Sequence, residues 1–99
     1  MGKTISLDST IAATSDQISC QLGADAAILN LKSGMYFGLD GVGATVWDLI
    51  AEPKVVNDIL ETLLERYEVD RERCQNDLLA LLAELDRRGL IEIREKSAL

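Results

Sequence analysis

The chain has 99 residues, 47% of them hydrophobic, which suits one small domain with a single core. It contains no His, so the side chain that most often serves as a general base or metal ligand is missing. Ten Lys and Arg against seventeen Asp and Glu give a net charge of −7, which disfavours binding to the phosphates of nucleic acids. We therefore expect a single domain over residues 1–99 that is not an enzyme, holds no cofactor or metal and binds no nucleic acid.

The sequence carries no signature of export or of membrane insertion. Its N-terminus lacks the apolar core of a signal peptide, and no apolar run approaches the ~20 residues that cross a bilayer. Cys20 and Cys74 lie far apart and form no C-x-x-C motif, so we expect two reduced, mostly buried thiols. These features predict a cytoplasmic protein with no membrane partner.

Short segments separated by Gly, Ser and Asp predict β-strands in the first 40 residues. The segments are Thr4–Leu7, Ser9–Ala13, Gln17–Gln21, Asp25–Leu31 and Met35–Leu39. A turn at Leu22-Gly23-Ala24 would pair the third segment with the fourth. The fourth then becomes the central strand of an antiparallel sheet, and the fifth becomes an edge.

The hairpin between the last two segments is the most distinct β signal. Its Lys32-Ser33-Gly34 connection places Gly where a type I turn with a G1 bulge needs a positive φ, so Leu31 should lie opposite Met35. Alternation along the strands then gives the predicted faces. The predicted core face comprises Ala27, Leu29, Leu31, Met35, Phe37 and Leu39, and the predicted opposite face comprises Ile28, Asn30, Tyr36 and Gly38.

From residue 43 onward the apolar residues recur every three or four positions, which predicts three helices. The first spans about residues 43–50 and stops before Pro53, and the second spans about 54–67 with a wide apolar stripe. The third begins after Asp70 as N-cap and ends at Gly89, and residues 90–94 alternate like a short strand. The predicted fold is α+β and resembles a winged helix-turn-helix, with a three-stranded antiparallel sheet followed by three helices.

Three patterns that could carry chemistry are better explained by structure. The acidic pairs Glu61/Glu65 and Glu68/Glu72 lie on helix faces or ends that we expect to be exposed to solvent. The stretch at residues 38–43 is rich in Gly but lacks the spacing of a phosphate-binding loop, so its glycines more simply make a turn from strand to helix. The third helix balances its Arg residues with acidic ones, which does not suit a DNA recognition helix.

The predicted edge strand is the most informative feature. Exposed edges usually carry a charged residue, often Lys, or a Pro, either of which blocks pairing with other chains. Met35–Leu39 has neither a charge nor a Pro. Either the N-terminal segment covers this edge, or the edge is open to a partner that adds a strand to it. Gly38 would let a peptide backbone approach closely.

The order of motifs in this chain resembles the PqqD family of small peptide chaperones. The resemblance rests on residues 27–40, on Gly43-Ala44-Thr45-Val46-Trp47-Asp48-Leu49-Ile50, and on residues 63–70 and 81–91. It covers roughly residues 10–94. Members of this family are stand-alone recognition elements for ribosomally synthesised, post-translationally modified peptides.

The resemblance implies a function and a binding site. It implies that the leader segment of a precursor peptide adds as a strand to the edge strand and contacts the third helix, and that the protein presents this peptide to a maturation enzyme. On the edge strand, the implied peptide-binding residues are Met35, Tyr36, Phe37, Gly38 and Leu39. On the third helix, they are Asp77, Ala80, Leu81, Glu84 and Arg88.

The resemblance leaves the enzyme partner open. The pattern of residues 29–40 favours a lasso-peptide system with a leader peptidase and a cyclase. The alternatives are a radical-SAM enzyme, as in a pathway like that of pyrroloquinoline quinone, and an acidic winged-helix module for protein interactions. An unoccupied edge can also pair with its own copy, so we expect a monomer or a weak homodimer.

Overall fold

The computed structural model describes residues 5–15 and 17–94 and has an α+β fold, as predicted. In chain order the elements are β1 (Thr10–Ala13), β2 (Gln17–Leu22), β3 (Asp25–Asn30), β4 (Tyr36–Leu39), α1 (Gly41–Leu49), β5 (Lys54–Val55), α2 (Val56–Arg66), α3 (Arg71–Arg87) and β6 (Ile91–Arg94).

The strands form two antiparallel sheets rather than the single sheet of the prediction. The predicted three-stranded sheet is confirmed, with the order β2-β3-β4; we call it the meander sheet. The second sheet has the order β5-β1-β6 and brings together segments from the start, middle and end of the chain. Its pairings are far apart in sequence, so no local pattern could predict them.

The predicted strand Thr4–Leu7 is wrong, since residues 5–7 form no strand, and residue 4 lies outside the described residues. The Leu7 carbonyl accepts a hydrogen bond from the Asn57 N–H (3.0 Å). The Ser9 carbonyl accepts one from the Val56 N–H (2.9 Å). The first N–H groups of a helix have no partner within the helix, so this segment satisfies the start of α2 instead of joining a sheet.

The turn between β3 and β4 is one residue longer than predicted. The Asn30 side chain accepts a hydrogen bond from the Lys32 N–H (2.9 Å), which draws Leu31 into the turn. Gly34 has a φ of +73°, the positive value predicted for it. Asn30 therefore takes the place of Leu31 opposite Met35, and its N–H donates to the Met35 carbonyl at 3.0 Å.

This shift of one residue moves the side chains of β3 to the face opposite the one predicted. The core face of the hairpin comprises Ala26, Ile28, Phe37 and Leu39, and the outer face comprises Ala27, Leu29, Tyr36 and Gly38. The predicted face of Phe37 and Leu39 is thus confirmed. Leu31 and Met35, predicted for the core, are 55% and 62% exposed.

The helices agree with the predictions to within about two residues at their ends. Asp40 caps α1, with its Oδ1 accepting from the Gly43 N–H at 3.2 Å, so α1 begins at Gly41 rather than at residue 43. The predicted cap of α3 is confirmed, since the Asp70 side chain accepts from the Arg73 N–H at 3.2 Å. Gly89, with a φ of +73°, ends α3 as predicted.

The core lies where the three helices pack on both sheets. Apolar residues from α1, α2, α3, β1, β3 and β6 form one buried cluster. Its fully buried large side chains are Ile11, Ile28, Val46, Ile50, Val56, Ile59, Leu60, Leu63, Leu82, Leu85 and Leu90. Cys74 is also buried, but Cys20 is exposed on β2, so the prediction of buried thiols holds for only one of them. Both thiols are free.

Candidate functional site

The β4 edge of the meander sheet is open within the described part of the chain. There, β4 pairs only with β3. Strand β1, the described strand that could have covered the edge, pairs instead with β5 and β6. Residues 1–4, the rest of the N-terminal segment considered for this role, lie outside the described residues. The uncharged strand thus presents free backbone groups.

The hydrogen-bond ladder decides which backbone groups face outward. In an antiparallel pair, alternate residues bond to the neighbouring strand. The Asn30 N–H bonds to the Met35 carbonyl, so two residues later Phe37 also bonds to β3. The N–H and C=O groups of Tyr36 and Gly38 consequently point away from β3, toward the open edge.

A groove with a volume of about 650 Å³ lies beside this edge. It is bounded by β4, the first half of α1, the end of α2, the α2–α3 connection and α3 as far as Leu81. Apolar lining residues are Phe37, Leu39, Val42, Val46, Leu63, Tyr67, Val69, Leu78 and Leu81. Charged lining residues are Asp40, Glu68, Asp70, Arg73 and Asp77. The groove is therefore an apolar channel with a mostly acidic rim.

A hydrogen bond on one side and a glycine on the other determine how α1 packs against the rest of the groove. The Thr45 and Tyr67 hydroxyls are hydrogen-bonded at 2.9 Å, which ties α1 to the end of α2. On the other side, a Cβ added at Gly43 would lie 3.1 Å from Leu39 Cδ2. A side chain at this position would require Leu39 to shift by a few tenths of an ångström, so Gly43 favours the close approach of α1 to β4.

The C-terminal end of α3 meets β4 through an aromatic contact. The Arg88 guanidinium lies over the Phe37 ring, with its central carbon 4.9 Å from the ring centroid. Glu84 accepts hydrogen bonds from Arg87 and from the Arg88 Nε (2.7 Å). These two bonds, the one from Arg87 first, lower the pKa of the Glu84 carboxyl below its usual value. The network holds Arg88 over β4.

The structure brings most of the predicted peptide-binding residues together. The groove is lined by five of them, namely Phe37, Gly38, Leu39, Asp77 and Leu81. A smaller cavity of about 210 Å³, near the turn between β3 and β4, is lined by Met35, Tyr36, Phe37 and Arg88. Glu84 lines neither cavity but holds Arg88, and Ala80 is exposed on α3 outside both.

Sequence reasoning missed the far wall of the groove. Val42 and Val69 are 43% and 46% exposed, unusual for Val, and both line the groove. Val42 precedes the predicted start of the first helix and Val69 follows the predicted end of the second, so neither was assigned to an apolar stripe. Tyr67 and Cys74 also line the groove, and sequence reasoning gave neither of them a role in the site. Burial, followed by the nearby Asp77 charge, raises the pKa of the Cys74 thiol, which disfavours the thiolate form.

Within residues 5–15 and 17–94, no three His, Cys, Asp or Glu side chains gather as a metal site would require. No helix in this part of the chain is long and apolar enough to cross a bilayer.

Comparison with known proteins decides the family. A family profile described as Coenzyme PQQ synthesis protein D (PqqD) matches residues 25–91, which span β3 to the start of β6. The chain belongs to the PqqD family. The predicted resemblance is thus confirmed, and the matched region contains the open β4 edge, the groove and α3.

Two solved structures resemble this PqqD-family chain. TbiB1 in complex with the TbiA(beta) leader peptide is 32% identical, with a TM-score of 0.77 over 82% of this chain and 94% of that chain. Lasso peptide synthetase B1 complexed with the leader peptide is 21% identical, with a TM-score of 0.68 over 83% of this chain and 96% of that chain, and supports the fold alone. The comparison with curated proteins found no match.

Proposed function

We propose that this PqqD-family protein binds the leader segment of a ribosomally synthesised precursor peptide and presents the peptide to a maturation enzyme. The observation that carries the proposal is an uncharged, unpaired strand edge directly beside an apolar groove. The 32% identity to TbiB1, whose structure contains a leader peptide, supports the same class of ligand.

The leader would bind by adding a strand to β4. The outward N–H and C=O groups of Tyr36 and Gly38 supply main-chain hydrogen bonds, which tolerate changes in leader sequence. Every second leader side chain would then enter the groove, where Leu39 and Leu81 offer apolar contacts. Selectivity among leaders therefore comes from these apolar anchors.

Helix α3 forms the second wall for the docked strand. Asp77 and Leu81 lie one helical turn apart on the side that lines the groove. Further along, Arg88 covers Phe37 and bounds the smaller cavity near Met35. We propose that the leader runs between β4 and this side of α3, and that Ala80 contributes at most a peripheral contact.

The protein itself does no chemistry in this proposal. It raises the effective concentration of a flexible substrate near the enzyme, as a tether does. The leader loses conformational entropy when it becomes a strand, so dissociation constants from about nanomolar to micromolar are expected.

A lasso-peptide leader peptidase and cyclase are the favoured maturation enzymes, because of the lasso-type pattern of residues 29–40. A radical-SAM enzyme is the second candidate, favoured by the match to the family of coenzyme PQQ synthesis protein D. The genes beside this one discriminate between the two candidates.

The direct test is a titration of the isotope-labelled protein with the leader encoded beside its gene, followed through backbone amide shifts. We expect the largest changes at residues 36–39 and along residues 77–88. Shifts confined to β2 or to the sheet of β5, β1 and β6 would reject the site. The absence of any shift at millimolar leader would reject leader binding.

A further inference from the structure

Large apolar side chains that are exposed in the described part of the chain fall in two places. Val42 and Val69 belong to the groove. The others lie on the meander sheet or in its second turn and do not line the groove. They are Ile18, Leu22, Leu31, Met35 and Tyr36, which are between 55% and 71% exposed.

Strand β2 has its polar side chains on the helix side of the sheet and its apolar side chains on the outer side, the reverse of the usual arrangement. Its residues on the helix side of the sheet are Gln17, Ser19 and Gln21, and its residues on the outer side are Ile18, Cys20 and Leu22. Single apolar residues on a surface need no explanation, but three at alternate positions form one continuous face. This face points away from the groove.

The pairing register extends that face across all three strands. Ile18, Leu29 and Tyr36 lie side by side in one row. Cys20, Ala27 and Gly38 form the adjacent row. We call this surface the outer patch and define it by Ile18, Cys20, Leu22, Ala27, Leu29 and Tyr36. No described helix or strand covers it.

The dimensions and charge of the protein argue against a second copy as the occupant. Three strands over five residues span roughly 250 Å², whereas a stable interface takes about 800 Å² from each partner. Two chains of net charge −7 also repel each other. The outer patch suits a transient partner whose apolar contact is flanked by basic residues.

The outer patch is continuous with the proposed leader site, because Tyr36 belongs to both. A leader strand paired to β4 would add a fourth strand, and its outward side chains would extend the outer patch by one row. The enlarged face exists only while the leader is bound. A partner that contacts this face can therefore distinguish the leader-bound protein from the leader-free protein.

We propose that the outer patch is the docking surface for the maturation enzyme, which contacts it through an apolar area with a basic rim. The proposal rests on the function proposed above. The leader thus lies along the β4 edge, with alternate side chains in the groove on the helix side, while the enzyme contacts the outer side of the sheet, so both bind simultaneously.

The test pairs two variants of β2. Ile18→Thr with Leu22→Thr removes apolar surface from the outer patch while keeping good strand formers at exposed positions, so the fold should persist. Gln21→Thr, on the other side of the same strand, is the matched control. The measurements are the affinity for fluorescent leader and the rate at which the purified maturation enzyme, encoded beside this gene, processes the full precursor.

We expect the double variant to bind leader as the wild type does, yet to support processing at least tenfold more slowly, with the control unchanged. Cys20 gives an independent readout, because it lies in the outer patch and Cys74 is buried. Enzyme together with leader should slow maleimide labelling of Cys20 at least fivefold.

Wild-type processing rates in the double variant would overturn the proposal, and so would undiminished Cys20 labelling in the presence of enzyme and leader. A wild-type dimer in sedimentation that the double variant abolishes would also overturn it, by assigning the outer patch to a second copy. Failure of the proposed function has a different signature, since wild-type protein would then not bind the leader at all.

Discussion

The two edges of the meander sheet differ in what lies beside them. Both β2 and β4 present unpaired backbone groups within the described residues, since each pairs only with β3. Beside β4 lies the apolar groove formed with α1, α2 and α3. On β2, the residues facing the helix side are Gln17, Ser19 and Gln21, and neither of the two cavities described above reaches that strand.

The difference shows that an open edge becomes a selective site only when a neighbouring groove can also bind the side chains of the added strand. Backbone hydrogen bonds alone would let β2 and β4 compete for the same peptide. The groove gives β4 apolar contacts that β2 lacks. The following predictions test this contrast, beginning with the strand that holds the two edges together.

Ile28 on the central strand should matter far more for stability than its neighbour Leu29. Ile28 is fully buried, so Ile28→Ala removes core contacts and should destabilise the protein by about 2–5 kcal/mol. Leu29→Ala on the outer side should cost about 1 kcal/mol or less. Urea unfolding followed by circular dichroism measures both. Equal losses would contradict the register described here.

A proline in each edge distinguishes the two strands as binding sites. Gly38→Pro removes an outward N–H without breaking the ladder to β3, and should weaken leader binding by about 100-fold, or 2.7 kcal/mol. Ser19→Pro does the same on the β2 edge, because alternation of the ladder points the Ser19 N–H outward. It should leave leader affinity unchanged. Fluorescence anisotropy of labelled leader gives both values.

Gly38→Ala is the matched control for the proline variant. It keeps the N–H, and an added Cβ meets no atom within 4 Å, so fold and affinity should both persist. If Ser19→Pro weakens binding and Gly38→Pro does not, the leader adds to β2 and the contrast between the edges is reversed.

The Arg88 contact with Phe37 supports β4 from the side of α3, and within residues 5–15 and 17–94 no cation–π contact of this kind reaches β2. Arg88→Gln removes the cation–π contact and should lower the free energy of unfolding by about 0.5–1 kcal/mol. Arg87→Gln removes a bond to the same Glu84 carboxylate from an exposed position and serves as control. A loss of similar size in both variants would mean that the ring contact adds nothing.

The smallest expected effect is the pH dependence of the same network. Since the two Arg residues lower the folded-state pKa of Glu84, its ion pairs stabilise the protein above the ordinary Glu value of 4.5 and lose this effect as the pH falls through the folded pKa. The melting temperatures of wild type and Glu84→Gln should therefore converge at acidic pH. A gap that widens on acidification would contradict this sign.

Several parts of the fold could be predicted from local chemistry. The Asp70 cap, the Gly89 stop and the positive φ of Gly34 each follow from a single residue type in a defined place. The register of the β3–β4 hairpin was wrong by one residue, because the Asn30 side chain competes for backbone donors in the turn. That shift exchanges the two faces of β3 and places Ile28 in the core.

The candidate site could be predicted in part, because some of its features also depend on residues that are close together in sequence. The lack of charge in β4 is a property of consecutive residues, so the candidate edge was found directly. Val42 lies in the first turn of α1 and Val69 in the α2–α3 connection, and both line the groove only because α1 packs between β4 and α2. The outer patch was hidden by the error in register, which had placed Leu29 in the core.

The sequence by itself determined the class of fold, the caps and ends of the helices, the family and the uncharged strand. These depend on residues close together in the chain, where periodicity and side-chain chemistry act locally. Only the tertiary structure decided that β1 pairs with β5 and β6 instead of covering the β4 edge, that a groove lies beside β4, and that the apolar side of β2 faces outward. Each depends on contacts between segments distant in sequence, whose relative free energies no local pattern encodes.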